Sequence, residues 1–223
     1  MGEGPIIVLG PRTRLAQALS ALAVERSRSL VLVARDAAEA DDLRSRLPAA
    51  TVVEGGAGSF PALSHGVAIV CCAFGPIHPE GPRPADALRS FERDRAWLGL
   101  LLDSYSEIPV HVVFVSSVVA LAPPRRRSDY GGWKNLAEGA IGTLVRRHAN
   151  ARYSVVFPGR LAVERSARAA FSTPYLRLAR RILDGTGRGP ARRLIGLDAR
   201  LWLLARSLRI VVAAGYGRVE RAP

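Results

Sequence analysis

The sequence predicts an α/β fold, a doubly wound parallel sheet with helices on both faces, in a single domain spanning residues 1–223. Three observations lead there. Short apolar runs alternate with longer amphipathic stretches, the pattern of repeated strand–helix–strand units. At 223 residues, with 48% hydrophobic and 23% charged side chains, the chain can bury a core without disulfides or metal. One run, 67–74, is apolar throughout, as a central strand covered on both faces must be.

The elements follow in order. Pro5–Leu9 reads as the first strand and Thr13–Val24 as a helix, followed by a second strand at Leu30–Ala34, an Ala- and Asp-rich helix at Ala37–Leu47 and a weak third strand at Thr51–Glu54. Val67–Phe74 is the fourth strand, and the Pro-rich segment Gly75–Pro84 behind it can continue neither strand nor helix. A helix over Ala85–Tyr105 leads to the strand Val110–Ser116; Pro123–Ser128 interrupts, and a helix over Tyr130–His148 precedes the sixth strand, Tyr153–Phe157. Beyond Gly159 come a helix around Ser172–Leu183, a turn-rich stretch at Asp184–Pro190, a short strand at Arg192–Ile195 and an apolar, Arg-studded segment over Leu197–Ala214. Residues 190–223 read as a basic, apolar C-terminal segment of the same domain.

Cys71 and Cys72 are the only cysteines; adjacent in a strand, their side chains face opposite ways, a poor disulfide pair. With no disulfide framework and no hydrophobic leader over Met1–Arg12, the expected compartment is the reducing cytoplasm. No apolar run approaches the roughly 18 residues of a spanning helix. No zinc-ligand spacing is present, and no metal is expected.

The formal net charge is +13, but it is uneven. Residues 151–223 hold 15 basic and 4 acidic side chains, whereas residues 1–150 are nearly balanced. Without a helix-turn-helix signal or aromatic interleaving, this excess argues against nucleic acid and for an anionic substrate or peripheral contact with the inner membrane face. In the segment 197–214 an oligomer interface or a core helix fits the apolar face equally well. Of the 32 basic residues 31 are Arg and one, Lys134, is Lys, so the lone Lys is the residue to explain.

Tyr130 and Lys134 lie four apart on a predicted helix and share a face. With five Tyr in 223 residues, chance would place the single Lys there roughly 2% of the time. Ser117, thirteen residues before Tyr130, ends an apolar strand, and in open α/β sheets ligands bind beyond the carboxyl ends of strands. A phenol next to an ammonium suits proton transfer: at about 4 Å and an effective dielectric of about 20 the charge is worth roughly 4 kcal/mol, up to about three pK units. Arg would offer a planar fork in place of a compact ammonium.

Ser117, Tyr130 and Lys134 match in type and spacing the Ser and Tyr-x-x-x-Lys of the short-chain dehydrogenase/reductase family, which the chain resembles over residues 5–160. Leu9-Gly10-Pro11-Arg12-Thr13-Arg14-Leu15-Ala16 resembles the family's glycine turn, with Arg14 and Ala16 at two of its glycine positions. Cys71-Cys72-Ala73-Phe74 stands where the family has Asn-Asn-Ala-Gly, and Phe157-Pro158-Gly159 where it has Pro-Gly. The resemblance implies a Rossmann-like fold, a small-molecule carbonyl or alcohol substrate, a homo-oligomer (dimer or tetramer), and a nicotinamide cofactor contacted by Gly10, Arg12, Arg14, Leu15, Arg35, Cys72, Ala73, Tyr130, Lys134, Pro158 and Gly159. Ser117, Tyr130 and Lys134 are then the catalytic residues. The position that carries an acid in NAD-dependent members is Ala34, followed by Arg35, which favours NADP, while Asp36 keeps NAD open. Arg12 and Arg14 are either phosphate ligands or solvated loop residues. The family's fourth catalytic residue, an Asn, has no counterpart in Ser90–Trp97, where Arg93 or Asp94 takes the space.

Arg125, Arg126 and Arg127 lie between Ser117 and Tyr130, on either a solvated loop or a binding rim for an anionic substrate. The layout is similar to the family branch that reduces a polyprenyl-phosphoryl keto-sugar; a secondary-metabolite ketone is the competing substrate. The departures at Arg14 and Ala16, the missing Asn and the altered Cys71-Cys72-Ala73-Phe74 motivate a second expectation, a non-catalytic NAD(P)-binding or scaffold protein on the same fold.

Overall fold

The computed structural model describes residues 4–56, 59–74, 84–121, 128–162, 172–186 and 189–219. The elements are β1 (Ile6–Leu9), α1 (Arg14–Glu25), β2 (Leu30–Ala34), α2 (Ala37–Arg46), β3 (Thr51–Glu54), β4 (Val67–Cys71), α3 (Pro84–Ser104), β5 (Val110–Val115), α4 (Val118–Leu121), α5 (Ser128–Val145), β6 (Ala151–Pro158), β7 (Leu161–Ala162), β8 (Thr173–Pro174), α6 (Tyr175–Leu183), β9 (Arg192–Ile195) and α7 (Leu197–Val219). Seven strands form one sheet in the order β3-β2-β1-β4-β5-β6-β9, all parallel. The expected doubly wound α/β fold is therefore the observed one.

Alternation along the strands builds two cores. On β5, Val113 and Val115 face a layer made by α1, α2 and α6, with Leu15, Leu19, Leu43, Leu178 and Ile182 buried there. Val112 and Phe114 face the other layer, where α3 and α5 contribute Phe91, Leu98, Leu101, Ala137 and Ile141. Fully burying each such side chain is worth roughly 1.5–3 kcal/mol, so the two layers fix the sheet in place.

The chain order reverses at β1, whose neighbours are β2 and β4, with Leu9 level with both Val33 and Cys71. Such a switch point leaves a crevice at the carboxyl ends of the strands. Gly10 turns out of β1 with φ +78°, a conformation open to glycine. It is also close-packed: a Cβ there would lie 2.8 Å from the Ala73 nitrogen. Thr13 then caps α1, its hydroxyl accepting from the Ala16 N–H at 3.1 Å, as a helix N-cap does.

Several boundaries differ from expectation. The fourth strand stops at Cys71 instead of reaching Phe74, because the chain turns so that Phe74 drops into the core. There it meets Phe91 and Phe114 edge-on, with centroids 5.7 and 6.3 Å away. The helix expected from Ser172 begins at Tyr175, since Thr173–Pro174 pairs with Leu161–Ala162. A short helix, α4, follows β5 directly. Residues 75–83 and Arg125, Arg126 and Arg127 lie outside the described residues. Among the described residues no helix is long and apolar enough to cross a membrane, and no group of side chains could hold a metal ion.

Candidate active site

Lys134 and Tyr130 lie on α5, which packs against α4 and β5. Lys134 is 5% exposed. Its Nζ donates to the Val115 carbonyl at 3.3 Å, two residues before Ser117, and lies 5.3 Å from the Phe114 ring and 5.9 Å from the Tyr130 ring. Burial pushes the ammonium down to about 8, with the Cys72 and Cys71 thiols opposing. At neutral pH it is still largely charged, held by ring faces and one carbonyl, with donors to spare for a ligand.

Ser117 opens α4. Its Oγ accepts from the Val119 N–H at 3.3 Å, which leaves the hydroxyl proton available for an oxygen in the crevice. The neighbouring Ser116 Oγ is buried and has no hydrogen-bond partner among the described residues. Asn135, one residue beyond Lys134, donates to the Ala120 carbonyl at 3.0 Å and fixes α5 against α4. Ser117 and Lys134 are thus brought to the same end of β5, with Tyr130 one turn before Lys134.

Gly10 and Ala73 touch across the switch point, and Cys72 is within hydrogen-bonding reach of the Thr13 side chain. Burial pushes the Cys72 thiol up to about 12 and the Cys71 thiol well above its ordinary value, so both are neutral packing groups. They are free and face opposite layers, as expected. Leu15 is buried beneath the turn, whereas Arg12 and Arg14 are exposed. With Thr13 serving Ala16 and Gln17, the N–H groups of Arg14 and Leu15 have no described partner.

Pro158 and Gly159 close β6 at the same end of the sheet. The lack of a side chain at Gly159 admits the Asp198 carboxylate, which accepts from the Arg160 N–H and, at 3.4 Å, from the Thr173 hydroxyl. Asp198 is engaged by the fold and is not a solvated helix charge.

One carboxylate, Glu39, escaped the sequence reading, and a second, Asp94, was named there only beside Arg93 in the space of the missing Asn. Glu39 on α2, its side chain 3% exposed, accepts from the Arg35 N–H at 2.7 Å and from Arg35 Nε at 3.1 Å, with Arg12 Nε 3.9 Å from its other oxygen. The i,i+4 spacing from Arg35 was the available signal. Asp94, on the buried face of α3, bonds Arg93 Nη2 at 3.3 Å. Burial raises its carboxyl to about 6, with Arg93 and Arg35 opposing. It therefore stands near Arg35, and Lys134 is not among the charges acting on it. Arg93 stacks on Trp97, 5.0 Å from the ring centroid.

No protein-family model and no curated protein matches the sequence. Solved structures do match in fold. A short-chain dehydrogenase from Burkholderia cenocepacia J2315, in complex with NADP, superposes with a TM-score of 0.69 at 18% identity, covering 100% of both chains. A short-chain dehydrogenase from Streptomyces avermitilis gives 0.65 at 15% identity over 99% of this chain and 98% of that one. A short-chain dehydrogenase/reductase from Vibrio parahaemolyticus gives 0.63 at 16% identity over 85% and 99%. The chain has the fold of the short-chain dehydrogenases/reductases.

Proposed function

We propose that the chain is an NAD(P)-dependent oxidoreductase, reducing a ketone or oxidising the matching alcohol, with NADPH preferred over NADH. The observation that carries this reading is Lys134, the single Lys, buried next to the Tyr130 ring at the end of β5 that Ser117 caps. A buried ammonium is costly in a chain with no need of it, and this one is bonded to the Val115 carbonyl at the carboxyl end of β5.

The surrounding residues fit a dinucleotide. The Gly10 turn leaves no room for a side chain against Ala73, and the unpartnered N–H groups of Arg14 and Leu15 open a helix whose N-terminus favours phosphate. Arg12, Arg14 and Arg35 add positive charge there. A bound nicotinamide supplies or accepts the hydride. Tyr130 exchanges the proton with the substrate oxygen, the Lys134 ammonium stabilises its phenolate, and the Ser117 hydroxyl donates to the same oxygen. The substrate is a keto-sugar, phosphorylated or lipid-linked, or a secondary-metabolite ketone, taken by a dimer or tetramer. Exposed Leu100 on α3 and Leu136 on α5 support such an assembly.

The test is substrate-dependent loss of NADPH absorbance at 340 nm over panels of both ketone classes. Turnover in the wild type, reduced by about 10²–10⁴-fold in Tyr130→Phe, is expected. Unchanged turnover in that variant contradicts the mechanism, and absence of NADPH and NADH binding contradicts the whole reading. Binding without turnover of any ketone would favour the non-catalytic alternative.

A further inference from the structure

The geometry points to Glu39 as a positioning residue that sets cofactor preference by holding Arg12 and Arg35 as a paired clamp for a phosphate on the cofactor's ribose. The inference rests on the NAD(P) reading above and names what organises one end of that site.

The arrangement is layered. The Glu39 side chain is 3% exposed, whereas those of Arg12 and Arg35 are 64% and 42% exposed. The anion lies underneath and the two cations on top, so a phosphate arriving from solvent meets the guanidiniums before the carboxylate. Both cations face Glu39 through Nε, at the base of the guanidinium. Among the described residues their terminal Nη atoms carry no hydrogen bond, and those are the atoms suited to forked phosphate binding.

Three groups converge on one carboxylate: the Arg35 N–H, Arg35 Nε and Arg12 Nε. Glu39 is itself fixed, because Asp36, capping α2, accepts from the Glu39 N–H at 2.8 Å. Two like charges brought together on loop and helix ends repel each other unless an anion lies between them. Without Glu39 they splay, and a phosphate would have to collect them at an entropic cost. Asp94 acts on Arg35 from α3, but it bonds Arg93 rather than Arg35 and does not link the pair.

Glu39→Gln removes the charge and keeps a side chain of the same length. Affinities for NADPH, NADH, 2′-AMP and 5′-AMP are measured by titration calorimetry on the full chain. The expected result is that wild type prefers NADPH and 2′-AMP, and that Glu39→Gln weakens those two by about five- to twentyfold while NADH and 5′-AMP change less than twofold. The NADPH-to-NADH ratio on one preparation separates this from misfolding, which would lower both. In a chain carrying Arg12→Ala and Arg35→Ala, adding Glu39→Gln is expected to change the ratio no further. An unchanged or increased ratio in Glu39→Gln, or an equal loss in the double-alanine background, overturns the proposal. A wild type that binds both cofactors without preferring NADPH also overturns it and leaves the oxidoreductase reading standing. Binding of neither cofactor removes that reading and this one with it.

Discussion

The two ends of the sheet treat their buried polar groups in opposite ways. At the amino end, His111 on β5 accepts from Ser154 at Nε2, 2.9 Å, and donates from Nδ1 to the Thr186 carbonyl at 2.7 Å. Ser154 in turn accepts from the Ala191 N–H at 3.0 Å. The carbonyl can only accept, so Nδ1 carries a proton, and with the ring's pKa lowered Nε2 is the unprotonated acceptor at neutral pH. Burial, together with Arg152 and Arg193, lowers its pKa against the Thr186 bond. At the carboxyl end Lys134 is a buried charge with a single carbonyl acceptor, Asp94 is a buried carboxylate bonded by Arg93, and Ser116 Oγ has no described partner. A cavity of about 790 Å3 lies at the amino end, lined in part by Arg28, His111 and Arg152, a volume in the range of ligand pockets. The state of the polar groups argues for the carboxyl end: a network closed on itself stabilises a fold, whereas groups held buried and available are what a ligand site retains.

The comparison can be broken most sharply at Tyr130, where Phe costs about 10²–10⁴-fold in turnover without loss of folding, checked by 340 nm assay and circular dichroism. Next comes the aromatic floor of the carboxyl end. Phe74→Ala removes the edge-on contacts to Phe91 and Phe114 and is expected to lower stability by roughly 3–5 kcal/mol, read from denaturant midpoints.

Asp94→Asn has the opposite sign. A carboxyl raised from 3.8 to about 6 binds its proton more tightly folded than unfolded, so stability is lost as pH rises through that window. The Asn variant should be more stable than wild type at pH 7 to 8, by up to about 3 kcal/mol, and should lose that pH dependence. His111→Gln is the smallest change: leaving the buried Ser154–Thr186 bridge imperfectly filled costs about 1–3 kcal/mol, with NADPH affinity unaltered. In wild type, His111 contributes stability that fades as pH falls below the unfolded value near 6.5, the reverse of Asp94. A stability gain from His111→Gln, or a loss from Asp94→Asn at pH 8, would erase the contrast between the two ends.

The proposed site at the carboxyl end is legible in the sequence where residue type and spacing carry the chemistry. Tyr130, Lys134 and Ser117 announce themselves through a lone Lys and a helical interval, β1 and β4 through unbroken apolar runs, and β5 through one interrupted only by His111. Phe74 was legible as buried but not as lying beyond the strand, because an apolar run does not say where the backbone leaves the sheet. Glu39 was hidden for a different reason, and the burial of Asp94, named only beside Arg93 in the space of the missing Asn, was hidden with it. In an Ala- and Asp-rich helix or an alternating-charge one, a carboxylate reads as a solvated face, and only the fold shows which acid is turned inward. The amino-end network joins residues 111, 154, 186 and 191, separations that no local pattern encodes.

We place the cofactor in the carboxyl-end crevice and not in the amino-end cavity. Backbone hydrogen exchange with and without saturating NADPH tests this placement directly. Protection is expected at Gly10–Leu15, Arg35, Ala73 and the turn of α5 carrying Tyr130 and Lys134, with Ser27–Ser29, Gly66 and His111 unchanged. Protection confined to the amino-end segments, with Gly10–Leu15 and α5 unaffected, would contradict it.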